Sequence, residues 1–175
     1  MENETLSALQ RQLREERLVK SAEDLQVGDI IYVEMDRSDG LTLNAGYDTR
    51  LKYVVVAGSK SNLKEFGVVL INSDADYSDA PDWKAEQYPM LQSNYKGVLE
   101  HDSWVDCTDP KEMPLRKMIA KKAEKMGCLT ADDLNAVMRL LQNSDFVEPH
   151  FKKAYRINNT QPNSNLAYDI TAIKT

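Results

Sequence analysis

The sequence predicts an α+β, mainly β fold: a compact and mostly antiparallel β domain with one amphipathic helix before it and another after it. Three short runs rich in β-branched and aromatic residues stand close together in the first half of the chain, bounded by turn residues. Apolar residues at helical spacing occur near the start and again in the last third. A chain of 175 residues is long enough for one domain with a real core, so we expect one domain with appendages.

The first element is a helix over residues 3–20. Leu6, Leu9 and Leu13 recur at helical spacing among Gln, Arg and Glu residues, which produces one narrow apolar stripe. We expect this stripe to lie against the domain or against a partner. Residues 21–28 form the connector to the β domain.

Strands follow the connector, and they are predicted at 29–35, 51–57 and 66–73. The second strand contains the run Tyr53-Val-Val-Val, which is typical of a strand that is buried on both faces. The intervening loop, 36–49, is longer than a tight hairpin needs and is rich in turn residues. Loops of this length are commonly functional or mobile.

The second half of the chain alternates between polar and periodic segments. Residues 74–89 are too acidic to be core, strand-like pieces return at 88–91 and 103–107, and residues 111–126 are predicted as a helix. The residues after 143 have no clear pattern until an apolar patch at 166–173, which we interpret as an edge strand.

The clearest helix signal begins at Thr130. This residue can cap the helix, and Asp133 can return the hydrogen bond to its backbone in a capping box. Apolar residues then recur on one face, which predicts a buried stripe of Leu134, Val137, Met138 and Leu141.

Composition excludes several classes of function. Charged residues make up 29% and hydrophobic residues 42% of the chain, which is ordinary for a folded domain. A net charge of −6 argues against non-specific coating of nucleic acid through a broad basic surface. No apolar run approaches the length of about 20 residues that crosses a bilayer, and the charged N-terminus is no signal peptide, so we expect a cytoplasmic protein. Cys107 and Cys128 stand alone, so no metal or other cofactor is expected.

The order of several motifs resembles the MazF/PemK family of toxin endoribonucleases. Gly28-Asp-Ile-Ile-Tyr-Val, a glycine-containing loop and Arg50-Leu-Lys-Tyr-Val-Val-Val resemble the opening of that family. Leu70-Ile-Asn-Ser is similar to the end of its third strand, where a Ser or Thr stands. Gly97-Val-Leu-Glu-His-Asp-Ser-Trp-Val-Asp-Cys and Gly127-Cys-Leu-Thr-Ala-Asp-Asp-Leu are similar to its later strand and its terminal helix.

The resemblance implies an SH3-like barrel that forms a homodimer, binds a cognate antitoxin and cleaves single-stranded RNA without a metal. It covers 27–143, leaving 1–26 as an N-terminal helix and connector and 144–175 as a C-terminal extension. Arg50 matches the family's catalytic arginine, and Ser73 matches the hydroxyl residue that contacts the reacting phosphate; a shift of the strand would bring Asn72 into that place.

Basic residues cluster around Arg50 in the sequence. Three of them, together with Asn72, form the candidate RNA-binding set of Lys52, Lys60, Lys64 and Asn72. A second basic cluster runs from Arg116 to Lys125, and clusters of this size often mark only a solvated face. His101 is either a general base or merely exposed. Trp83 and Trp104 either stack on bases or pack structurally, and packing is favoured for Trp104.

Two departures from the family pattern favour a different function. The proline that follows the family's arginine is Leu51 here, and the acidic insertion 74–86 would repel an RNA backbone if it lay at the groove. The sequence therefore supports two hypotheses: a metal-independent endoribonuclease that is the toxin of a toxin–antitoxin-like system, with loop 36–49 gating the RNA groove, or a non-catalytic barrel that binds protein or nucleic acid.

Overall fold

The structure is a computed structural model that describes residues 2–75 and 79–157. The helices are α1 (Glu2–Arg17), α2 (Pro81–Ala85), α3 (Leu115–Ala120), α4 (Ala131–Asn143) and α5 (Pro149–Ala154). The strands are β1 (Asp29–Asp36), β2 (Thr49–Ser59), β3 (Glu65–Asn72), β4 (Gln87–Met90), β5 (Ser103–Asp106), β6 (Lys111–Pro114) and β7 (Glu124–Cys128). Short 3₁₀ turns lie at Ala22–Asp24, Arg37–Asp39 and Gln92–Asn94.

All strand pairs in the described part of the chain are antiparallel, and they form one curled sheet in the order β4-β5-β3-β2-β1-β7. β6 pairs with the first half of β3, while β5 pairs with its last two residues. Irregularities in register lie between Ile30 and Ile31 and between Val56 and Gly58, and such bulges bend a sheet. The predicted α+β, mainly β fold class, with helices at both ends of a small curled sheet, is confirmed.

The core lies on both faces of the sheet. In β2, Val54, Val55, Val56 and Ala57 are each 1% exposed, which confirms the strand predicted to be buried on both sides. Successive residues point to opposite faces. Val55 and Ala57 therefore join the cluster that packs under α4 and α5, whereas Val54 and Val56 join a second cluster that includes Met113 and Met118.

At the N-terminus of α4, one of the two hydrogen bonds of the predicted capping box forms and the other does not. Thr130 Oγ1 accepts a 3.2 Å hydrogen bond from the backbone N–H of Asp133. The carboxylate of Asp133 instead accepts hydrogen bonds from the hydroxyls of Tyr88, at 2.6 Å, and Tyr95. It therefore ties the helix to β4 and to the segment that follows it. The predicted apolar face is confirmed, because Val137, Met138 and Leu141 are buried and Leu134 packs beside them.

The helix predicted over 111–126 is wrong. The segment forms β6, the short helix α3 and β7. Pro114 ends the edge strand β6, where its missing N–H costs no hydrogen bond within the ladder, and Lys122 has a positive φ of 52° that ends the helical turn. Pairing with β3 on one side and β1 on the other outweighs the helical propensity of this segment.

Helix α1 and the segment after α4 differ in how they pack on the sheet. In α1 the stripe of Leu6, Leu9 and Leu13 is 45–56% exposed, so it does not pack on the domain. Arg14 Nε instead donates a 2.6 Å hydrogen bond to Glu124 Oε1. After α4 the chain returns to the core, where Tyr155 and other residues of 144–157 are fully buried. The edge strand expected at 166–173 lies outside the described residues.

Candidate functional site

Arg50 is the second residue of β2 and lies opposite Met35 of β1. Its side chain is exposed. It lines three surface clefts: one with His101, one with Trp83, and one with residues of the loop that precedes β2. Arg50 therefore stands on a ridge that borders every one of these clefts.

The first of them, which we call the histidine cleft, has a volume of about 240 Å³ and contains Arg50, Ser73, Glu100 and His101. Ser73 is exposed and follows directly after the last residue of β3. His101 lies on the loop that leads into β5. The cleft thus brings together the two predicted catalytic residues and the histidine that was considered as a general base.

The contacts of His101 define its tautomer. Its Nδ1 atom lies 3.0 Å from the backbone oxygen of Asp102 and 3.3 Å from Ser103 Oγ. A carbonyl oxygen can only accept, so we assign the hydrogen to Nδ1. In the neutral ring Nε2 then carries the lone pair, which is the form that can take a proton from a substrate hydroxyl.

Two tyrosines form the apolar wall of the histidine cleft. The rings of Tyr32 and Tyr53 lie with centroids 4.6 Å apart and planes tilted by 36°. Burial, with smaller contributions from Tyr32 and Glu100, raises the pKa of the Tyr53 phenol. The Tyr53 phenol therefore stays uncharged at neutral pH.

The second cleft, which we call the tryptophan cleft, has a volume of about 370 Å³. Lys52 lines it and donates a 2.8 Å hydrogen bond from Nζ to Asn72 Oδ1. Burial, and next the charge of Arg50, lower the pKa of the Lys52 ammonium group, while Asp106 opposes that shift. Trp83 of α2 and Asp106 of β5 also line this cleft.

Asn72 and Ser73 face different clefts. Adjacent residues of an extended strand point to opposite faces, and accordingly Asn72 lines the tryptophan cleft whereas Ser73 lines the histidine cleft. Arg50 borders both. The choice between Asn72 and Ser73 as the partner of the arginine, which the sequence left open, is therefore a choice between two sides of one hairpin.

The structure separates Lys60 and Lys64 from Arg50. Both lie at the far end of the β2–β3 hairpin, where Lys60 Nζ bonds Glu65 Oε2 at 2.8 Å and sits 5.4 Å from the centroid of the Tyr155 ring. Ten residues of strand, at about 3.3 Å each, put roughly 30 Å between Lys60 and Arg50. Of the predicted RNA-binding residues, the structure brings only Lys52 and Asn72 to the same place as Arg50.

The second basic cluster has structural partners. Lys117 Nζ lies 3.3 Å from Asp36 Oδ2 and 2.6 Å from Asp39 Oδ1, and Lys121 Nζ lies 2.9 Å from Glu34 Oε1. Hydrogen bonds from Ser38, with help from Lys117, lower the pKa of Asp36 to about 2. The two ion pairs of Lys117 hold the 3₁₀ turn at the start of the loop that borders Arg50, and that of Lys121 holds α3 near β1.

Sequence reasoning considered Trp83 of α2 as a base-stacking residue but missed the contribution of β1 and β5 to the clefts. Tyr32 gave no signal because its role depends on pairing with Tyr53 across the sheet. Asp106 gave none because β5 reaches the clefts only through its pairing with β3 and β4. Within the described residues, no group of His, Cys, Asp and Glu is arranged to hold a metal ion, and no helix has the length and apolarity to span a membrane.

Comparison with known proteins finds similarity in structure and none in sequence. No protein-family model matches the chain, and no curated protein matches it in sequence. Among solved structures, the chain is similar to one in the crystal structure of MazE–MazF (Form-III) from Deinococcus radiodurans, with a TM-score of 0.45 and 12% sequence identity. The similarity covers 67% of this chain and 92% of that one.

Proposed function

We propose that the protein is a metal-independent endoribonuclease that cleaves single-stranded RNA. The observation that carries this proposal is the histidine cleft, which gathers Arg50, Ser73 and His101 on one surface. An arginine, a hydroxyl and a neutral imidazole supply a stabiliser of developing charge, a hydrogen-bond donor to the phosphate and a base, which phosphodiester transfer needs in addition to a proton for the leaving oxygen.

In this proposal the 2′-hydroxyl of the ribose is the nucleophile. Nε2 of His101 takes its proton while the 2′-oxygen forms a bond to phosphorus. The bond from phosphorus to the 5′-oxygen of the next nucleotide then breaks, and that oxygen takes up a proton from solvent water. The products are a 2′,3′-cyclic phosphate and a 5′-hydroxyl.

Arg50 stabilises the charge that develops on the phosphorane oxygens. Its guanidinium group presents a planar fork of donors that matches two phosphate oxygens, which an ammonium group does not. Its exposure at the ridge lets an RNA backbone reach it. Ser73 donates a hydrogen bond to the same phosphate from the cleft side.

The test is incubation of the purified protein with a long unstructured RNA in EDTA. Cleavage should persist under chelation and should leave 2′,3′-cyclic phosphate ends. Lys64→Gln is the matched control, because it removes an exposed cation at the far end of the same hairpin. Products with 3′-hydroxyl ends, or a strict demand for magnesium, would contradict the mechanism.

The resemblance also leads us to propose a homodimer and a cognate antitoxin, so that the enzyme is the toxin of a toxin–antitoxin-like pair. Expression of the wild-type chain in a bacterial host should arrest growth, whereas an Arg50→Ala variant should not. Light scattering of the purified protein measures the oligomeric state. A monomer at micromolar concentration would contradict the dimer and leave the cleavage chemistry intact.

A second candidate, a non-catalytic binding module, is favoured by one observation. Asn72, rather than Ser73, shares the side of the hairpin on which Lys52 lies, and Asp106 and Asp109 line that same side. Carboxylates at this place are less suited to a polyanion than a purely basic groove is. A folded protein that binds RNA or a protein partner and cleaves no RNA would support this candidate.

A further inference from the structure

The proposed cleavage reaction takes place in the histidine cleft and gives the tryptophan cleft no role. Trp83, on the short helix α2, is half-buried and lines the cleft together with Leu70 of β3. The cleft volume of about 370 Å³ falls within the range of about 300–1,000 Å³ that is typical of small-ligand sites. An indole ring beside an aliphatic side chain provides the kind of surface on which an unpaired base stacks.

The charges around the cleft are unevenly neutralised. Lys111 Nζ pairs with Asp109 Oδ2 at 2.6 Å. Asp106 is buried and accepts hydrogen bonds from Gln87 Nε2 and from the backbone and hydroxyl of Thr108. Lys111 thus balances the charge of Asp109, whereas the neutral donors around Asp106 fix its position and leave its negative charge in place.

Lys52 and Arg50 differ from that pair. The hydrogen bond of Lys52 goes to the neutral side-chain oxygen of Asn72, and Asp106 acts on its ammonium group through the electrostatic attraction that opposes the lowering of its pKa. Arg50 is exposed on the ridge beside it. The two cations stand where the tryptophan cleft meets the histidine cleft, since both residues line both clefts.

We propose that the tryptophan cleft is a nucleotide subsite, in which an unpaired base of single-stranded RNA stacks on Trp83 while its phosphate lies against Arg50 and Lys52. This inference rests on the proposed function and extends it, because Arg50 also borders the histidine cleft. The nucleotide held there is consequently the one that adjoins the scissile phosphate. Trp83 of α2 thus supplies a wall of the proposed substrate site.

The experiment uses an RNA that cannot be cleaved. A short 2′-O-methyl oligoribonucleotide lacks the nucleophile, so its binding is measured independently of any reaction. In a Trp104→Phe background Trp83 is the remaining tryptophan of the chain, and titration with this RNA should quench its fluorescence to saturation. The same RNA annealed to its complement should cause little quenching, because paired bases are not free to stack on a side chain.

Affinity is then compared in the same background by fluorescence anisotropy of a labelled oligonucleotide. Trp83→Ala should weaken binding by about ten- to hundredfold, given that base–aromatic stacking is worth about 1–3 kcal/mol. Trp83→Phe keeps a stacking ring and should retain most of the affinity. Phe146→Ala, which removes an exposed aromatic ring outside the cleft, should bind like the parent.

The outcomes separate this inference from the proposed function. Quenching together with a Trp83-dependent affinity supports the subsite even if natural RNA is not cleaved, in which case the ribonuclease proposal alone fails. Unchanged fluorescence at saturating RNA, or equal affinity of Trp83→Ala and its parent, overturns the subsite even if the protein cleaves RNA. Circular dichroism of each variant establishes that it is folded.

Discussion

The Nζ atom of Lys52 donates a 2.8 Å hydrogen bond to Asn72 Oδ1 across the β2–β3 pair. This bond marks the side of the hairpin that faces the tryptophan cleft, and it leaves Ser73, one residue further on, to face the histidine cleft. In our proposals, the chemistry and the nucleotide subsite lie on opposite sides of one strand end, and Arg50 borders both clefts.

The Arg50→Lys substitution separates catalysis from binding. The lysine keeps the positive charge but loses the planar fork, so it should bind RNA almost as well while it stabilises the transition state poorly. We expect turnover to fall by about 10²–10³, and the Kd for a non-cleavable RNA to change far less. Single-turnover cleavage and anisotropy titration measure the two quantities. Equal losses in both would make Arg50 a binding residue.

The two candidates for the hydroxyl position should respond differently. Ser73→Ala removes a donor from the histidine cleft and should lower turnover by about tenfold or more, as expected when a hydrogen bond to a charged group is lost. Asn72→Ala removes the partner of Lys52 and should mainly weaken RNA binding. Both are measured with the same two assays. A loss of turnover in Asn72→Ala alone would place the chemistry in the tryptophan cleft.

Alkaline pH should weaken the fold through Tyr88. Its hydrogen bond to Asp133 raises the pKa of the phenol to about 12, above its ordinary value of 10.0. The folded state thus favours the neutral phenol, and this contribution is complete below pH 10 and declines as the pH rises towards 12. Tyr88→Phe should cost about 1–3 kcal/mol at neutral pH, and urea unfolding should show a flatter decline for the variant above pH 10 than for the wild type.

The docking of the segment after α4 depends on Gly58. A methyl group at this position would lie 2.1 Å from the backbone oxygen of Tyr155, so Gly58→Ala should force that segment away from the sheet. We expect a loss of about 1–3 kcal/mol, which is typical of overpacking. Gly127→Ala is the control, because its methyl would meet only a side-chain methyl of Val98 at 3.2 Å. Equal melting temperatures for the two variants would argue against tight docking.

The face of α4 should carry much of the stability on its side of the sheet. Leu141 is fully buried, so Leu141→Ala should lower the free energy of unfolding by about 2–5 kcal/mol. Leu134 is only half-buried beside the same cluster, and its replacement by alanine should cost less. Denaturant unfolding of both variants tests the order, and a larger loss for Leu134→Ala would contradict it.

Local pattern was enough to predict much of this fold. The valine-rich run after Tyr53 predicted a strand covered on both faces, and the spacing after Thr130 predicted a capped helix with one buried side, because burial and periodicity are written directly in residue order. The pair of Arg50 and Ser73 came from the resemblance in motif order, and its catalytic role stays a prediction. By itself, the sequence thus determined the fold class.

The tertiary structure decided what depends on contacts between distant residues. Pairing with β1 and β3 turned 111–126 into two strands and a short helix, since hydrogen bonds to neighbouring strands outweighed local propensity. Tyrosine hydroxyls donate hydrogen bonds to the carboxylate of Asp133, and acidic side chains form ion pairs with Lys117 and Lys121. Asn72 and Ser73 lie on opposite sides because neighbouring residues of a strand alternate between its faces. Lys60 lies far from Arg50 because the two residues stand at opposite ends of β2, and the register of the sheet fixes both positions.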